Sequence, residues 1–563
     1  MNRARQNEIW GKTLIEELIQ QGVDYFCLSP GNRAAPLALA VANHPKARCF
    51  VHYDERGSAF HALGYAKATG KPVCLIVTSG TALGNLMPAV MEAYHSRIPL
   101  ILLTADRPAE LRDTMANQTT DQLKFFGEFT RYFFDLPSPQ EGLPERFLGT
   151  TIAQLVSRSL FPVQGPVQLN CPFPEPFFEE PGQAIPISAE PIFYTHPELT
   201  LSRDHAKEWA DRLSSYEKGV IAIGSMQNPD HTAIESLAKK LGWPIIADIT
   251  SSYRCHPSQH TIPYAHHLLK SLPDLRPDVI LHLGDQCVSK PFLQWLGGCP
   301  LIHVSDHPMR NDPMHLVTDR VIASANIFCE QLSLLVKEKK HTWLDHWKEL
   351  AANAKRAIDP FFADPKEMSE PQVIKTLEAF TSEKTALFFA NSMPIRDADM
   401  FFYPTGASGP VFANRGLSGI DGNIATCAGI AQVMPLIAVM GDQTFLHDLN
   451  SLVQWKKVSH PIQLILINNG GGGIFSFVDV GRKKEILDPY FANAHQMTFE
   501  KAAALFDLPY TLATTPDELK MELQEGKTGI IEVQTNREEN LALHRSIDNA
   551  VKETLCGSFS TAF

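Results

Sequence analysis

The sequence predicts an α/β protein made of three doubly wound, parallel-sheet domains, and two observations carry that expectation. Strand and helix patterns alternate almost from end to end, the layout of parallel sheets covered by helices. The chain has 563 residues, room for three ordinary domains of roughly 150 to 200 residues each. The first opens with a helix through Leu14 and Leu18, then a strand Val23–Leu28, the loop Ser29-Pro30-Gly31-Asn32-Arg33 and a second helix. Further strands are expected at Ala47–His52, Val73–Val77 and Leu100–Leu103. The proline-rich stretch Pro172–Pro197 reads as a semi-rigid linker and a boundary. A middle domain follows, with strands Val220–Ile223, Pro244–Ala247, Val279–Leu283 and Leu301–Val304, closed by a polar helix Lys337–Arg356. Ser369-Glu370-Pro371 has the form of a helix start, a capping serine with proline in the first turn. Strands Thr385–Phe389, Leu436–Met440 and Gln463–Ile467 belong to the last domain. The expected domains are residues 1–180, 198–350 and 366–563. Val77–Asn85 and Val439–Phe445 echo each other as buried strand, tight polar loop and helix, which relates the two outer domains.

Composition narrows the function classes. Apolar residues make up 44% of the chain and charged residues 20%, ordinary globular material that excludes a disordered or collagen-like protein. The net charge of −12 argues against general nucleic-acid binding and against an anionic membrane surface. An anionic ligand would need a local basic pocket. The ten cysteines form no C-x-x-C pair, and Cys27 and Cys74 sit in apolar runs; they read as buried thiols in a reducing compartment. No apolar run approaches the ~18 residues that span a bilayer, so a soluble cytoplasmic protein is expected. His266-His267 lacks metal spacing with acidic partners and reads as surface or ordinary polar residues.

In parallel sheets, ligands collect at the loops beyond the strands' C-terminal ends. Two such loops stand out in the last domain: Gly441-Asp442 after one strand, and Asn468-Asn469-Gly470-Gly471-Gly472-Gly473-Ile474-Phe475 after another. They are separated by about one strand–helix–strand crossover, so both can flank one point. A carboxylate (Asp442), an amide oxygen (Asn469) and a glycine-loop carbonyl (Gly471) are hard oxygen ligands suited to Mg²⁺. The glycines also let backbone N–H groups approach a phosphate. Neither a Walker lysine pattern nor G-x-G-x-x-G occurs in the chain, which disfavours nucleoside triphosphate and Rossmann dinucleotide readings.

The Gly-Asp…Asn-Asn arrangement resembles the diphosphate-and-metal motif of the thiamine diphosphate-dependent enzymes, with Gln443 where that motif usually carries a glycine. The resemblance implies a lone glutamate just past a strand of the first domain, and His52-Tyr53-Asp54-Glu55-Arg56-Gly57 supplies Glu55. In that family the carboxyl bonds N1′ of the cofactor's pyrimidine and promotes its imino tautomer, on the path to the ylid nucleophile, while the cofactor carries the covalent chemistry. Ile420, in Ser418-Gly419-Ile420-Asp421-Gly422, matches the bulky apolar residue wedged between the two cofactor rings. The implied domains are pyrimidine-binding, central and diphosphate-binding. Pro30, Gly31, Ser392, Ser418, Gly419, Gln443, Thr444, Ile474 and Phe475 complete the implied cofactor contacts, with Mg²⁺ or Mn²⁺ on Asp442, Asn469 and Gly471.

Within that family, five segments are similar to the 2-succinyl-5-enolpyruvyl-6-hydroxy-3-cyclohexene-1-carboxylate synthases of menaquinone biosynthesis: Ser29–Arg33, Thr104–Pro108, Ala116–Thr119, Asn391–Arg396 and Asn414–Gly422. The resemblance implies decarboxylation of 2-oxoglutarate and conjugate addition of the four-carbon unit to isochorismate. Both substrates are dicarboxylates, and Arg33, Arg107, Arg396, Arg415 and Lys290 are the matching cations. Arginine's planar fork suits bidentate carboxylate binding. Gln118 would offer a neutral hydrogen bond to the reacting centre, and Glu55, Gln118 and Arg33 are the catalytic set. The resemblance further implies at least a homodimer, commonly a tetramer, in which Glu55 and Asp442 of different subunits serve one site. Two rivals differ in their demands. Acetohydroxyacid synthase or another 2-oxoacid decarboxylase commonly takes small or apolar 2-oxoacids and needs no such cation set. Against a cofactor-binding sensor that has lost catalysis stand the intact Glu55, Asp442 and Asn469, each of which could be lost without harming the fold.

Overall fold

The computed structural model describes residues 2–178, 192–226, 228–256, 258–363 and 368–559. Its strands form three sheets, parallel throughout the registers below. β1 (Tyr25–Leu28), β2 (Arg48–Val51), β3 (Val73–Val77), β4 (Leu100–Asp106), β5 (Tyr132–Asp135) and β6 (Val167–Pro172) run in the order β2-β1-β3-β4-β6-β5. β7 (Gly219–Ile223), β8 (Ile245–Ala247), β9 (Val279–Leu283), β10 (Leu301–Ser305) and β11 (Asp319–Ile322) are ordered β11-β10-β9-β7-β8. The third sheet holds β12 (Ala386–Phe389), β13 (Val411–Phe412), β14 (Leu436–Gly441), β15 (Ile462–Asn468), β16 (Tyr510–Leu512) and β17 (Gly529–Gln534), ordered β13-β12-β14-β15-β17-β16.

The chain divides into two compact units. One is Met1–His196 with Asn414–Met434 and Thr444–Ile462; the other is Pro197–Ala413 with Pro435–Gln443 and Gln463–Phe563. In the first unit, alternation along the central strands sorts side chains to two cores. Cys74, Ile76, Ile101 and Leu103 pack under helices Arg3–Gln20 and Phe147–Leu160, while Val73, Leu75, Leu100 and Leu102 pack under Glu55–Thr69 and Met87–Ser96. Apolar residues on both faces of a strand are the mark of a doubly wound sheet. In the second unit, β7 divides likewise: Ile221 and Ile223 face one core, Val220 and Ala222 the other. Burying each such aliphatic side chain is worth about 1.5–3 kcal/mol. As expected, Ser369 caps helix Glu370–Leu377, accepting from the Gln372 N–H at 3.2 Å. Cys27 and Cys74 are buried as thiols.

Three expectations need correction. The polar helix runs Thr342–Ile358 rather than from Lys337; its register is set by Leu344, Trp347, Leu350 and Ala354, which bury one face. The linker cannot start at Pro172, which ends β6, because Phe173 and Phe177 remain in the core; Pro181, Pro186 and Pro191 lie outside the described residues. His267 is not on the surface: it is 1% exposed and its Nδ1 lies 3.2 Å from Asp548 Oδ1, an acidic partner 281 residues away in sequence. His266 bonds Ser289 Oγ at 3.1 Å.

Candidate active site

In the first unit, loops after four parallel strands carry the chemistry. β1 leads into Pro30-Gly31, and Arg33 follows in a short 3₁₀ turn, Asn32–Ala34. A Cβ on Gly31 would lie 2.2 Å from Thr78 Cβ, so only glycine lets this loop approach the one after β3. Arg33 is buried; it donates to the Phe173 carbonyl at 2.8 Å and to Glu175 at 2.9 Å, and lies 4.7 Å over the Phe177 ring. Arg107, after β4, is buried too and donates to Ser79 Oγ, after β3. Gln118, in the left-handed region at φ 56°, donates to the Ser79 carbonyl at 3.0 Å. Arg107 and Gln118 therefore converge on one serine. Burial, and after it the Arg107 charge, pull the Arg33 pKa down, with Glu175 opposing. Glu175, 2.9 Å from Arg33, offsets part of that repulsion, and an anion beside the two guanidinium groups would relieve more of it.

Glu55 stands beyond β2 as the first residue of helix Glu55–Thr69. Asp54 takes the capping role, accepting from the Arg56 and Gly57 N–H groups, so the Glu55 carboxyl is not spent on the helix end. Asn85 Nδ2 donates to Glu55 Oε2 at 3.2 Å. The segment with Arg415, Ser418, Gly419 and Ile420 lies in the same unit. It is anchored by Glu92, which accepts from Gly416 N–H at 2.9 Å and Leu417 N–H at 2.8 Å, and by Lys67, which donates to Asn414 Oδ1 at 2.9 Å. Arg415 and Ile420 are half-buried, Ser418 is exposed at φ 60°, and Thr444 is buried.

The second unit holds the diphosphate-type loops at the ends of β12, β14 and β15. Asp442 is 2% exposed; its Oδ2 accepts from Gly471 N–H at 2.9 Å and its Oδ1 from Gln443 N–H at 2.6 Å. Burial raises its pKa, against the opposing Gly471 N–H. Asn469 donates from Nδ2 to Glu370 at 2.8 Å, and its buried Oδ1 has no hydrogen-bond partner among the described residues. Gly471 has φ 143°, and a Cβ there would sit 2.5 Å from the Ala492 carbonyl oxygen, so the loop requires glycine. Gln443, the departure from the motif, donates from Nε2 to that Ala492 carbonyl at 2.6 Å and ties the following loop to Asp442. A desolvated carboxylate beside an orphaned amide oxygen, with a glycine turn between strands, fits a small hard cation. Ile474 and Phe475 are half-buried in the 3₁₀ turn Gly473–Phe477. Ser392 adopts φ 76°, ψ −130° at the start of helix Met393–Phe401, a strained non-glycine conformation of the kind held at binding sites. Arg396 Nη1 donates to the Ser392 carbonyl. Lys290 is exposed at the start of helix Lys290–Trp295.

The structure thus gathers Arg33 and Arg107 on one sheet edge, Arg107 and Gln118 on Ser79, and Asp442 with Gly471. Sequence reasoning passed over Ser79, Glu92, Glu370 and His495, whose Nε2 lies 3.4 Å from Asp442 Oδ2. Only Glu92 left a signal, a carboxylate inside the apolar run Ala89–Ala93. Burial, and then the Asp397 charge, push the Glu370 pKa up to about 7.

Comparison with known proteins places these loops in a family. Residues 10–125 match the model of the N-terminal TPP binding domain of thiamine pyrophosphate enzymes, and residues 191–389 that of the middle domain of thiamine pyrophosphate enzymes. A benzoylformate decarboxylase structure from Polynucleobacter necessarius shares the fold, with TM-score 0.72 and 16% identity over 94% of this chain and 98% of that one. The 2-succinyl-5-enolpyruvyl-6-hydroxy-3-cyclohexene-1-carboxylate synthase of Rubrobacter xylanophilus is 41% identical, over 96% of this chain and 98% of its own. That of Chlorobium phaeobacteroides is 36% identical over 99% of each. The chain belongs to the 2-succinyl-5-enolpyruvyl-6-hydroxy-3-cyclohexene-1-carboxylate synthase family of thiamine diphosphate-dependent enzymes.

Proposed function

We propose that this chain is a transferase of menaquinone biosynthesis that decarboxylates 2-oxoglutarate and adds the four-carbon unit to isochorismate, forming 2-succinyl-5-enolpyruvyl-6-hydroxy-3-cyclohexene-1-carboxylate. The observation that carries this reading is the buried Arg107, which converges with Gln118 on Ser79, with buried Arg33 on the same sheet edge, a cation site suited to carboxylates in a chain of net charge −12. Small apolar 2-oxoacids would not need it. Thiamine diphosphate, when bound, supplies the nucleophilic carbon and the electron sink. Asp442, Asn469 and Gly471 would hold its Mg²⁺ or Mn²⁺, and Gln443, Thr444, Ile474 and Phe475 would flank the diphosphate. Glu55 would hold a proton at the pyrimidine N1′, with Ile420 setting the angle between the rings. Pro30, Gly31, Ser392, Ser418 and Gly419 would line the cofactor; Arg396, Arg415 and Lys290 would add carboxylate contacts. We assign residues 1–180 to a pyrimidine-binding, 198–350 to a central and 366–563 to a diphosphate-binding domain. The working form is at least a homodimer, commonly a tetramer, acting in the cytoplasm; among the described residues no helix is long and apolar enough to cross a membrane.

The decisive assay mixes the protein with thiamine diphosphate, Mg²⁺, 2-oxoglutarate and isochorismate and follows isochorismate's ultraviolet absorbance. Loss that requires every component is the expected result; CO₂ release from pyruvate without isochorismate loss would overturn the substrate assignment. Two substitutions divide the site. Arg107→Ala should lower kcat/KM by about 10- to 150-fold, the worth of one charged hydrogen bond at about 1.5–3 kcal/mol, with cofactor affinity retained. Steady-state kinetics with each substrate varied checks this, and unchanged constants for both would remove Arg107 from the pocket. Asp442→Ala should weaken Mg²⁺-dependent cofactor binding by about 100-fold or more, since even partners behind a metal ligand are worth 10- to 100-fold. Titration of the cofactor at low and high Mg²⁺ reads it, and equal affinity at low Mg²⁺ would dismiss the metal site.

A further inference from the structure

We infer that Glu370 is a positioning residue whose carboxylate orients the Asn469 side chain, so that the amide oxygen is presented to the cation. The inference rests on the reading of Asp442, Asn469 and Gly471 as metal ligands. Glu370 is the first residue of its helix and is 1% exposed. Its Oε1 accepts from Asn469 Nδ2 at 2.8 Å and from Thr535 Oγ1 at 3.4 Å. Because Glu370 Oε1 accepts this bond, the amide facing it offers its NH₂ and turns its oxygen away. That oxygen is the buried Oδ1, without a partner among the described residues, an arrangement that is costly unless a ligand fills it.

The neighbouring asparagine makes the assignment sharper. Asn468 Nδ2 donates to Glu532 Oε1 at 2.7 Å and to the Met497 carbonyl at 2.8 Å, while its Oδ1 accepts from Gly470 N–H at 3.2 Å. Glu532 is itself fully buried and also accepts from Phe499 N–H and Tyr510 Oη–H. One buried glutamate therefore commits Asn468 to the fold. The other holds Asn469 by its nitrogen alone and leaves its oxygen for a ligand. A bond of this kind behind a metal ligand fixes its orientation.

The test titrates Mn²⁺ into protein with thiamine diphosphate and follows the electron paramagnetic resonance of free Mn²⁺. Glu370→Leu, which cannot accept, should raise the Mn²⁺ dissociation constant by about 10- to 100-fold. Glu370→Gln, whose amide oxygen can accept the same bond, should restore most of the affinity. Glu370→Asp draws the carboxylate back by one methylene and should behave like the leucine variant, which keeps the test open if that variant fails to fold. The KM for 2-oxoglutarate of each folded variant at saturating Mn²⁺ should stay near the parent's, and the glutamine variant should recover the metal affinity, which a merely structural role would not give. Mn²⁺ affinity unchanged in the leucine and aspartate variants, while Asp442→Ala abolishes it, would overturn the role of Glu370 alone. Mn²⁺ affinity unchanged in Asp442→Ala would overturn the metal-site reading beneath it.

Discussion

Glu55→Gln should remove most turnover while leaving the protein folded and able to take up thiamine diphosphate. The reason lies in how the chain ends β2. Asp54, not Glu55, satisfies the first N–H groups of helix Glu55–Thr69, so the substitution costs no cap. The Asn85 amide, which donates to Glu55 Oε2 at 3.2 Å, can donate equally to a glutamine oxygen. Stability should therefore change by no more than about 0.5 kcal/mol, as for a substitution away from core and caps. A glutamine cannot exchange the proton that the carboxyl would hold at the pyrimidine N1′. Losing a positioned acid–base group costs typically 10²–10⁴-fold in rate. Circular dichroism melts, cofactor titration and the isochorismate assay together check the expectation. Turnover within about tenfold of the parent, well short of that range, would defeat the assignment of Glu55.

The elements that were legible in the sequence are those whose burial is uniform. Val73–Val77 is apolar on both faces and Val279–Leu283 is apolar but for the buried His282, and the structure places both strands with those bounds. β6 went unseen because its alternate residues, Gln168 and Asn170, are polar yet fully buried. They bond Thr104, Gln122 and Asp106, an inward-facing network that looks like a solvated edge in one dimension. β5 is half-buried along its length, β13 has only two residues, and β11 and β16 are sheet edges, so none presents a full apolar run. The positions of Arg33, Arg107, Asp442 and Asn469 beyond strand ends could be read because each follows an apolar run within a few residues. The roles of Glu370 and Ser79 could not. Each matters through a bond to a residue distant in sequence: Glu370 meets Asn469 99 positions on, and Ser79 meets Arg107 28 positions on.

Glu92 is the other residue of that kind, and Glu92→Ala should be the most destabilising of these substitutions. The carboxylate is 3% exposed. It accepts from Ser96 Oγ at 2.7 Å and from the Gly416 and Leu417 N–H groups, 324 and 325 residues on, with the Lys67 ammonium 3.4 Å away. Burial alone would raise its pKa, but Lys67 and these donors hold it below the usual carboxylate range. Its stabilising contribution is therefore complete at neutral pH and is lost only as pH falls below the ordinary value of about 4. Removing one partner of a buried pair costs about 3–5 kcal/mol, because the other charge stays buried. That is a large share of a typical 5–15 kcal/mol. Lys67 fixes the sign of the pH response: burial lowers its pKa and Glu92 opposes the shift. Without Glu92 the ammonium should deprotonate at lower pH, so the variant should begin to regain stability, as pH rises above neutral, earlier than the parent does. Urea melts at neutral and alkaline pH measure both effects, and a loss under about 1 kcal/mol, the centre of ordinary substitutions, would contradict them. Lys67→Met in the Glu92→Ala background separates the two parts of the cost. Recovery of most of the loss would locate it in the uncompensated charge. A persistent deficit would locate it in the Gly416 and Leu417 N–H groups, and hence in the segment that carries Arg415, Ser418 and Ile420.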